Sequence, residues 1–427
     1  MARREHGTGS VFQRADGMWI ARITLPSDGS ARRRKQVARA RKEDAVRALR
    51  DMRKELDRTG DLPTASPTLA TWLDQWHARM VAPVLKPRTS ATYRSYLDQH
   101  VIPSIGRIRL DRLTVQHVYR LHESMEGRGL STTTALQAHR ILAKALGDAE
   151  REGRVGRNVA ALATAPRRRL AVRPALTAEQ AITLLQSVAD DPYEAPRWSL
   201  ALLAGLRQGE ALGLTTDALD MHRPLMVGGE MIPAGRLTVS WQLQRLRWSH
   251  GCGKRGTPWP CGLVRAGSCP QRTMPIPADQ EVHQVDGGLW LTRPKSRAGW
   301  REVPTVGILH EVLTRHLDNV APGRMGLVLH RGDGRPVDPS RDAQAWDAAL
   351  RRAGLPDVPL HSARHTCSSL LAQLGVPEHI RMQILGHSSA TVTRGYTHLT
   401  GAEAADAMGR LSALLDWRAI ESTPGAV

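Results

Sequence analysis

Phenylalanine occurs once in this chain of 427 residues, and cysteine occurs four times. Four cysteines do not make a disulfide scaffold at this length; they fit a reducing compartment. No run of 18 apolar residues is present, so no membrane-spanning helix is expected. The opening residues, MARREHGTGSVFQ, have no apolar core and do not read as a secretory signal. Lysine is scarce too: seven of the 60 basic residues are lysine and 53 are arginine. In so arginine-biased a chain, Lys295 stands out.

What is abundant is positive charge. Sixty basic residues against 41 acidic ones leave a formal charge of +19. That balance argues about partners, not fold, and suits a polyanion such as nucleic acid; the alternative is a basic surface that serves solubility. The length allows two or three domains. Residues 1–60 read as a small basic α+β unit. Trp19–Leu25 alternates as a strand with Trp19, Ala21, Ile23 and Leu25 on one face, Arg32–Val37 can return, and a helix follows with Val46, Leu49, Met52 and Leu56 at helical spacing. After a linker at Asp61–Pro67, residues 67–165 read as all-α. Leu69, Trp72, Leu73, Trp76 and Met80 form one stripe, and Thr89, Thr114 and Ser131 can cap three further helices. A basic linker around Ala165–Leu170 leads to a third unit, 174–420, mainly α with some strand, opened by a Thr177/Gln180 capping box.

The chemistry concentrates in Leu360–Leu399, LHSARHTCSSLLAQLGVPEHIRMQILGHSSATVTRGYTHL. His361 and Arg364, three apart in a helical pattern, share a face. Gly375 and Gly386 sit where helix C-caps are expected. His387 opens the next segment, and Tyr396 follows it. A phenol with a reference pKa of roughly 10 is a poor nucleophile unless it has a proton acceptor or a charge-neutralised target. Arginine neutralises a phosphodiester through paired N–H bonds to its non-bridging oxygens. The cluster reads as a nucleophile facing a phosphate.

H-x-x-R-H, then L-G-H-S, then Y-T-H resembles the phage-integrase family of tyrosine recombinases. Upstream, Ala204–Leu214 (AGLRQGEALGL) is similar to that family's first arginine box, and Arg293–Pro304 (RPKSRAGWREVP) to its lysine hairpin. The sequence departs from the family at Ser362-Ala363, where Asp-Leu is commoner. The resemblance implies that Arg207 and Arg364 clamp the phosphate; Glu210, three residues after Arg207, can pair with it for structure, orient it for the clamp, or both. It implies that Lys295, on a hairpin between strands at Leu289–Leu291 and Trp300–Val303, protonates a 5′-oxygen. His361 would assist proton movement, His387 would hold a non-bridging oxygen, and Tyr396 would form a 3′-phosphotyrosyl bond. Chemistry would require no cofactor. Lys295 as a plain phosphate contact stays open beside this reading, with Arg293 and Arg297 as neighbours of similar charge.

By the same resemblance, 1–60 is an arm-site DNA-binding domain, 67–165 a core-binding, SAM-like domain, and 174–420 the catalytic domain. Lys86, Arg88, Thr89 and Arg94 at one helix start suit phosphate contacts. The helix Ala402–Leu415 would pack on a neighbouring protomer, or else on its own chain. The implied partners are double-stranded attachment-site DNA, a homotetramer on synapsed DNA, and an excisionase or host accessory protein, with no membrane. The implied location is the cytoplasm, with the nucleoid. The implied function is site-specific integration and excision of a phage or other mobile element. A type IB topoisomerase shares the chemistry without partner exchange. A non-enzymatic DNA-binding or architectural protein would explain the charge but not the ordered residue set.

One stretch does not belong to that pattern. His250, Cys252, Cys261 and Cys269 lie in a Gly/Pro-rich insertion between Gln244 and Leu289. They offer four soft ligands suited to structural zinc, although the spacing is not a standard finger. The alternative is ordinary thiols. Cys367 reads as core.

Overall fold

The strand Trp19–Thr24 is the middle of a three-stranded antiparallel sheet, flanked by Ser10–Gln13 and Arg34–Arg39. The structure is a computed structural model. It describes residues 9–25, 34–59, 66–168, 174–227, 230–253, 259–274, 276–277, 279–294, 299–386 and 401–416. Against the sheet lies the helix Lys42–Thr59, and the two share an apolar cluster of Ala21, Ile23, Leu25, Ala45, Met52 and Leu56. The expected helical stripe is displaced at its start: Ala45 is buried and Val46 is exposed. The inward positions 45, 49, 52 and 56 keep a four-three-four spacing on one helix face, and 46 lies about 100° round the helix from 45.

The described residues gather into two compact units, one drawn from 1–84 and 89–169 and one from 85–88 and 170–427. The first therefore holds both the sheet with its helix and the all-α part. In the all-α part, Leu69, Trp72, Leu73 and Trp76 are buried on the helix Leu69–Trp76, but Met80 is not. The helix continues as a π-helix over His77–Val81. The extra residue per turn carries Val81, 1% exposed, into the place that α-spacing assigns to Met80, 37% exposed. A second π-turn, Leu97–Val101, extends the helix Pro87–Tyr96. That helix begins at Pro87, so Thr89 lies inside its first turn and does not cap it; proline is favoured there because its missing N–H would be unpaired anyway. The other helix starts follow their sequence signals: Thr114 with His117 and Thr177 with Gln180 form capping boxes, and Ser131 caps Thr132–Arg151. Two buried indoles tie the long helix in: Trp72 Nε1 donates to the Ala145 carbonyl at 3.0 Å and Trp76 Nε1 to Asp148 at 2.6 Å.

The second unit combines a helical core with small antiparallel sheets whose residues Leu237, Val239, Val303 and Val306 belong to that same core. Trp198 on the helix Glu194–Leu202 and Trp346 on Pro339–Arg352 meet edge-on at 5.2 Å in its interior. Leu370 and Leu371 on His361–Gln373, and Ile384 and Leu385 on Glu378–Leu385, belong to the same core. The C-terminal helix Gly401–Leu414 packs on its own chain. Ala405, Met408 and Leu411 are buried, and the Ser412 hydroxyl accepts the Ile308 N–H at 3.0 Å.

The expected lysine hairpin has a different form. Leu289–Thr292 pairs with Gln242–Arg245 and Val282–Asp286, whereas Arg301–Val306 pairs with Ala234–Val239. The two strands flanking Lys295 do not pair with each other. Instead, Thr292 faces Gln242 and Arg301 faces Val239. One side of this antiparallel ribbon therefore passes between its two ladders through Ser240 and Trp241, and the other through residues 293–300. Lys295 falls in that longer passage.

Candidate functional site

Arg207 ends the sequence AGLR and stands at the N-terminus of the short helix Gln208–Leu212. Its backbone N–H donates to Glu210 Oε2 at 3.0 Å and its Nη1 to Glu210 Oε1 at 2.6 Å. One carboxylate thus fixes both the main chain and the side chain of the arginine. Arg207 Nη2 reaches the Gly386 carbonyl at 3.0 Å, and the side chain remains 38% exposed. Arg364, on the first turn of His361–Gln373, is buried and donates to the Gly205 carbonyl at 2.6 Å and to the Leu385 carbonyl. The structure therefore joins the two arginines predicted from separate motifs, through one segment of backbone, Leu385–Gly386, directly before His387.

Gly205 makes this approach possible. Its φ of +58° is left-handed, and a Cβ there would stand 2.4 Å from Leu385 Cδ2. No other residue type meets both demands without displacement.

A third arginine belongs to the cluster and was not singled out in the sequence. Arg301 is buried, donates to the Ile384 carbonyl at 2.7 Å, and pairs with Glu210 Oε2 at 2.8 Å. The signal was its phase: Arg301 takes an inward position in the strand with Val303, and a buried guanidinium there requires a carboxylate partner. Burial works to raise the Glu210 carboxyl, but Arg301 and Arg207 outweigh it and hold the group below its ordinary range. Burial, followed by repulsion from Arg207 and Arg301, pulls Arg364 down to about 9. Arg364 stays charged at neutral pH. Three guanidiniums share one bonded carboxylate among the described residues, so the cluster has uncompensated positive charge and an anion would relieve it.

His361 opens the Arg364 helix on its exposed side, and its ring meets His365 edge-on at 4.8 Å. Lys295, His387 and Tyr396 lie outside the described residues. The segment entering Lys295 is anchored by Arg293. That side chain forks onto Glu281 at 2.8 and 3.0 Å and lies 3.4 Å from the Trp241 ring centroid, with Trp300 at 4.8 Å. Arg293 is thus committed to structure.

The four residues expected to touch DNA do not form one free cationic patch. Lys86, which groups with the second unit, donates to the Arg293 and Pro294 carbonyls at 3.1 Å each. Arg94 is bonded to Asp98 and, at 2.6 Å, to Asp74. Arg88 is exposed and Thr89 half-buried on the same helix. His250, Cys252, Cys261 and Cys269 come together in space, as four potential ligands around one point.

The family model described as the phage integrase family matches residues 278–403, and the phage integrase N-terminal SAM-like domain matches residues 68–125. An integrase of Saccharopolyspora erythraea is 29% identical over 440 residues, covering 96% of this chain and 97% of that protein. An integrase of Streptomyces ambofaciens is 26% identical over 407 residues, covering 92% of each. In fold, the chain is similar to the Tn1549 transposon integrase solved with a circular intermediate DNA, with a TM-score of 0.57 and 20% identity over 81% of this chain and all of that one. It is also similar to the lambda integrase tetramer bound to a Holliday junction, with a TM-score of 0.51 and 16% identity over 90% of this chain and 96% of that one.

Proposed function

This chain belongs to the phage integrase family of tyrosine recombinases, and on that premise we propose that it cuts and rejoins DNA at the attachment sites of a mobile element. The observation that supports this most directly is the arginine cluster: two guanidiniums from distant motifs, held by Glu210 and by carbonyls at Gly205, Leu385 and Gly386. Such a cluster is organised before substrate arrives, so it neutralises a phosphodiester without reorganisation.

In the proposed reaction the Tyr396 oxygen attacks phosphorus. A phosphotyrosyl bond forms at the 3′ side, the bond to the 5′-oxygen breaks, and Lys295 gives that oxygen its proton. His361 assists proton movement at the tyrosine, and His387 holds a non-bridging oxygen. A 5′-hydroxyl from a second duplex then attacks the phosphotyrosyl bond and returns the phenol. The covalent intermediate conserves bond energy, so no nucleotide cofactor is needed. Two rounds of exchange call for four protomers on synapsed DNA, in line with the tetramer seen for lambda integrase. An excisionase or host accessory protein would set direction.

The test is a nicked attachment-site duplex that loses its 5′-hydroxyl fragment after cleavage. A denaturant-resistant protein–DNA adduct is expected. Relaxation of supercoiled DNA lacking attachment sites, with no strand exchange between duplexes, would favour the topoisomerase reading instead. Lys295→Ala is expected to cleave normal DNA about 10²–10⁴-fold more slowly, the usual range for a lost general acid. A substrate with a bridging 5′-sulfur, whose thiolate leaves unprotonated, should recover most of that rate. An equal defect on both substrates would make Lys295 a phosphate contact.

A further inference from the structure

The chain leaves the sheet after Gln242–Arg245 and returns to it at Val282–Asp286. The described residues of the excursion between them build no apolar core of their own. Among the described residues from Arg247 to Ile276, Cys269 is the one buried residue, and Leu263 and Val264 are 38% and 92% exposed. Ser249 and Thr273 close its neck with reciprocal backbone hydrogen bonds of 2.8 and 2.9 Å. Beyond that neck, side chains converge on a single point. The ligand atoms of His250, Cys252, Cys261 and Cys269 all lie within 4.8 Å of one another.

The spacing is that of an ion's coordination shell. Cys252 Sγ is 3.4 Å from Cys261 Sγ, and His250 Nδ1 is 3.6 Å from Cys261 Sγ and 3.8 Å from Cys252 Sγ. Bond lengths of about 2.3 Å to sulfur and 2.0–2.1 Å to nitrogen, at tetrahedral angles, put sulfurs about 3.8 Å apart and nitrogen about 3.5 Å from sulfur. No pair is bonded as a disulfide. The surroundings orient the imidazole as well. Its ring stacks on Trp259 at 4.1 Å and 9°, and its Nε2 lies 3.4 Å from the Val264 carbonyl, which leaves Nδ1 to face the thiols. Gly251, between the first two ligands, passes so close to Gln271 that a Cβ would stand 2.2 Å from its carbonyl oxygen.

We propose that His250 Nδ1 and the sulfurs of Cys252, Cys261 and Cys269 bind one zinc ion, and that this ion replaces the missing core of the excursion. The donor set selects the metal class: three thiolates and an imidazole suit zinc, and no carboxylate occurs between Leu246 and Ala278 to recruit calcium or magnesium. Four protein ligands leave no open position for water, so the ion is structural and takes no part in phosphoryl transfer.

Full-length protein purified under reducing conditions should contain about one zinc per chain. Cys252→Ser/Cys261→Ser should lose it, and Cys367→Ser, whose sulfur lies elsewhere in the core, should keep it. Because the double variant can misfold for other reasons, the unchanged protein supplies a second arm. Cobalt(II) exchanged for zinc should show the visible and thiolate charge-transfer bands of tetrahedral cobalt, saturating at one equivalent, and a chelator should lower the melting temperature until zinc is restored. Metal-free wild-type protein that melts identically with and without chelator would overturn the proposal. So would iron in place of zinc, or a double variant that retains full zinc.

Discussion

Tyr396→Phe should bind attachment-site DNA as the unchanged protein does and form covalent adduct at least about 10⁴-fold more slowly, the scale on which deleting a nucleophile acts. The substitution removes one oxygen and keeps the ring, so packing and charge are preserved. None of the other tyrosines lies in the matched Arg/His motif. Of the four remaining tyrosines, Tyr93 stacks on Trp76, Tyr96 meets His100, the Tyr119 hydroxyl accepts the Thr164 N–H at 3.3 Å, and Tyr193 lies between His316 and His330. The measurement is adduct on nicked DNA, resolved under denaturing conditions, with binding followed separately. Adduct at the unchanged rate would remove Tyr396 from its role.

Glu210→Ala should cost about 3–5 kcal/mol of stability, the range for breaking a buried ion pair by removing one partner, and abolish cleavage in whatever fraction remains folded. Glu210 is fully buried, joins Arg207 to Arg301, and takes the Arg207 backbone N–H as well. Its removal strands Arg301 in the interior and releases the arginine that faces solvent. Glu210→Gln keeps the shape and loses the charge, so it should be milder in stability than alanine. The two proteins should also differ in acid. The folded Glu210 pKa lies below the ordinary value of 4.5, so its contribution is complete above that pH and is lost as pH falls through the lower folded value. Unfolding of Glu210→Gln followed from neutral pH into that acid range should lack this component. Parallel curves for the two proteins would show that the carboxylate charge does not hold the cluster.

Part of the arginine cluster can be read from the sequence and part cannot. Arg207 and Arg364 are legible because each stands in a motif that resembles an arginine box of the family, and Glu210 because it follows Arg207 by three residues, within reach across one helical turn. Arg301 was hidden because its partner lies 91 positions away and only the strand's phase hinted at its burial. Lys86 and Arg94 looked like free cations because a sequence shows charge but not the carbonyls or carboxylates that occupy it. The lysine strands were recognised and their pairing was not: local alternation identifies a strand, whereas partner choice is settled by non-local contacts. The Cys/His residues are readable as a group of potential ligands, and the structure brings those four side chains together.

The π-turns at His77–Val81 and Leu97–Val101 also bear on how this part of the chain tolerates change in length. Removing a residue from the middle of an α-helix rotates everything beyond it by about 100° and throws the apolar face out of phase. Here each helix already carries one residue more than its α-register needs. Excising Met80 would let the turn close as ordinary α-helix and bring Val81 to its buried place by α-spacing. A deletion that is ruinous in most helices would, at this position, restore regular geometry.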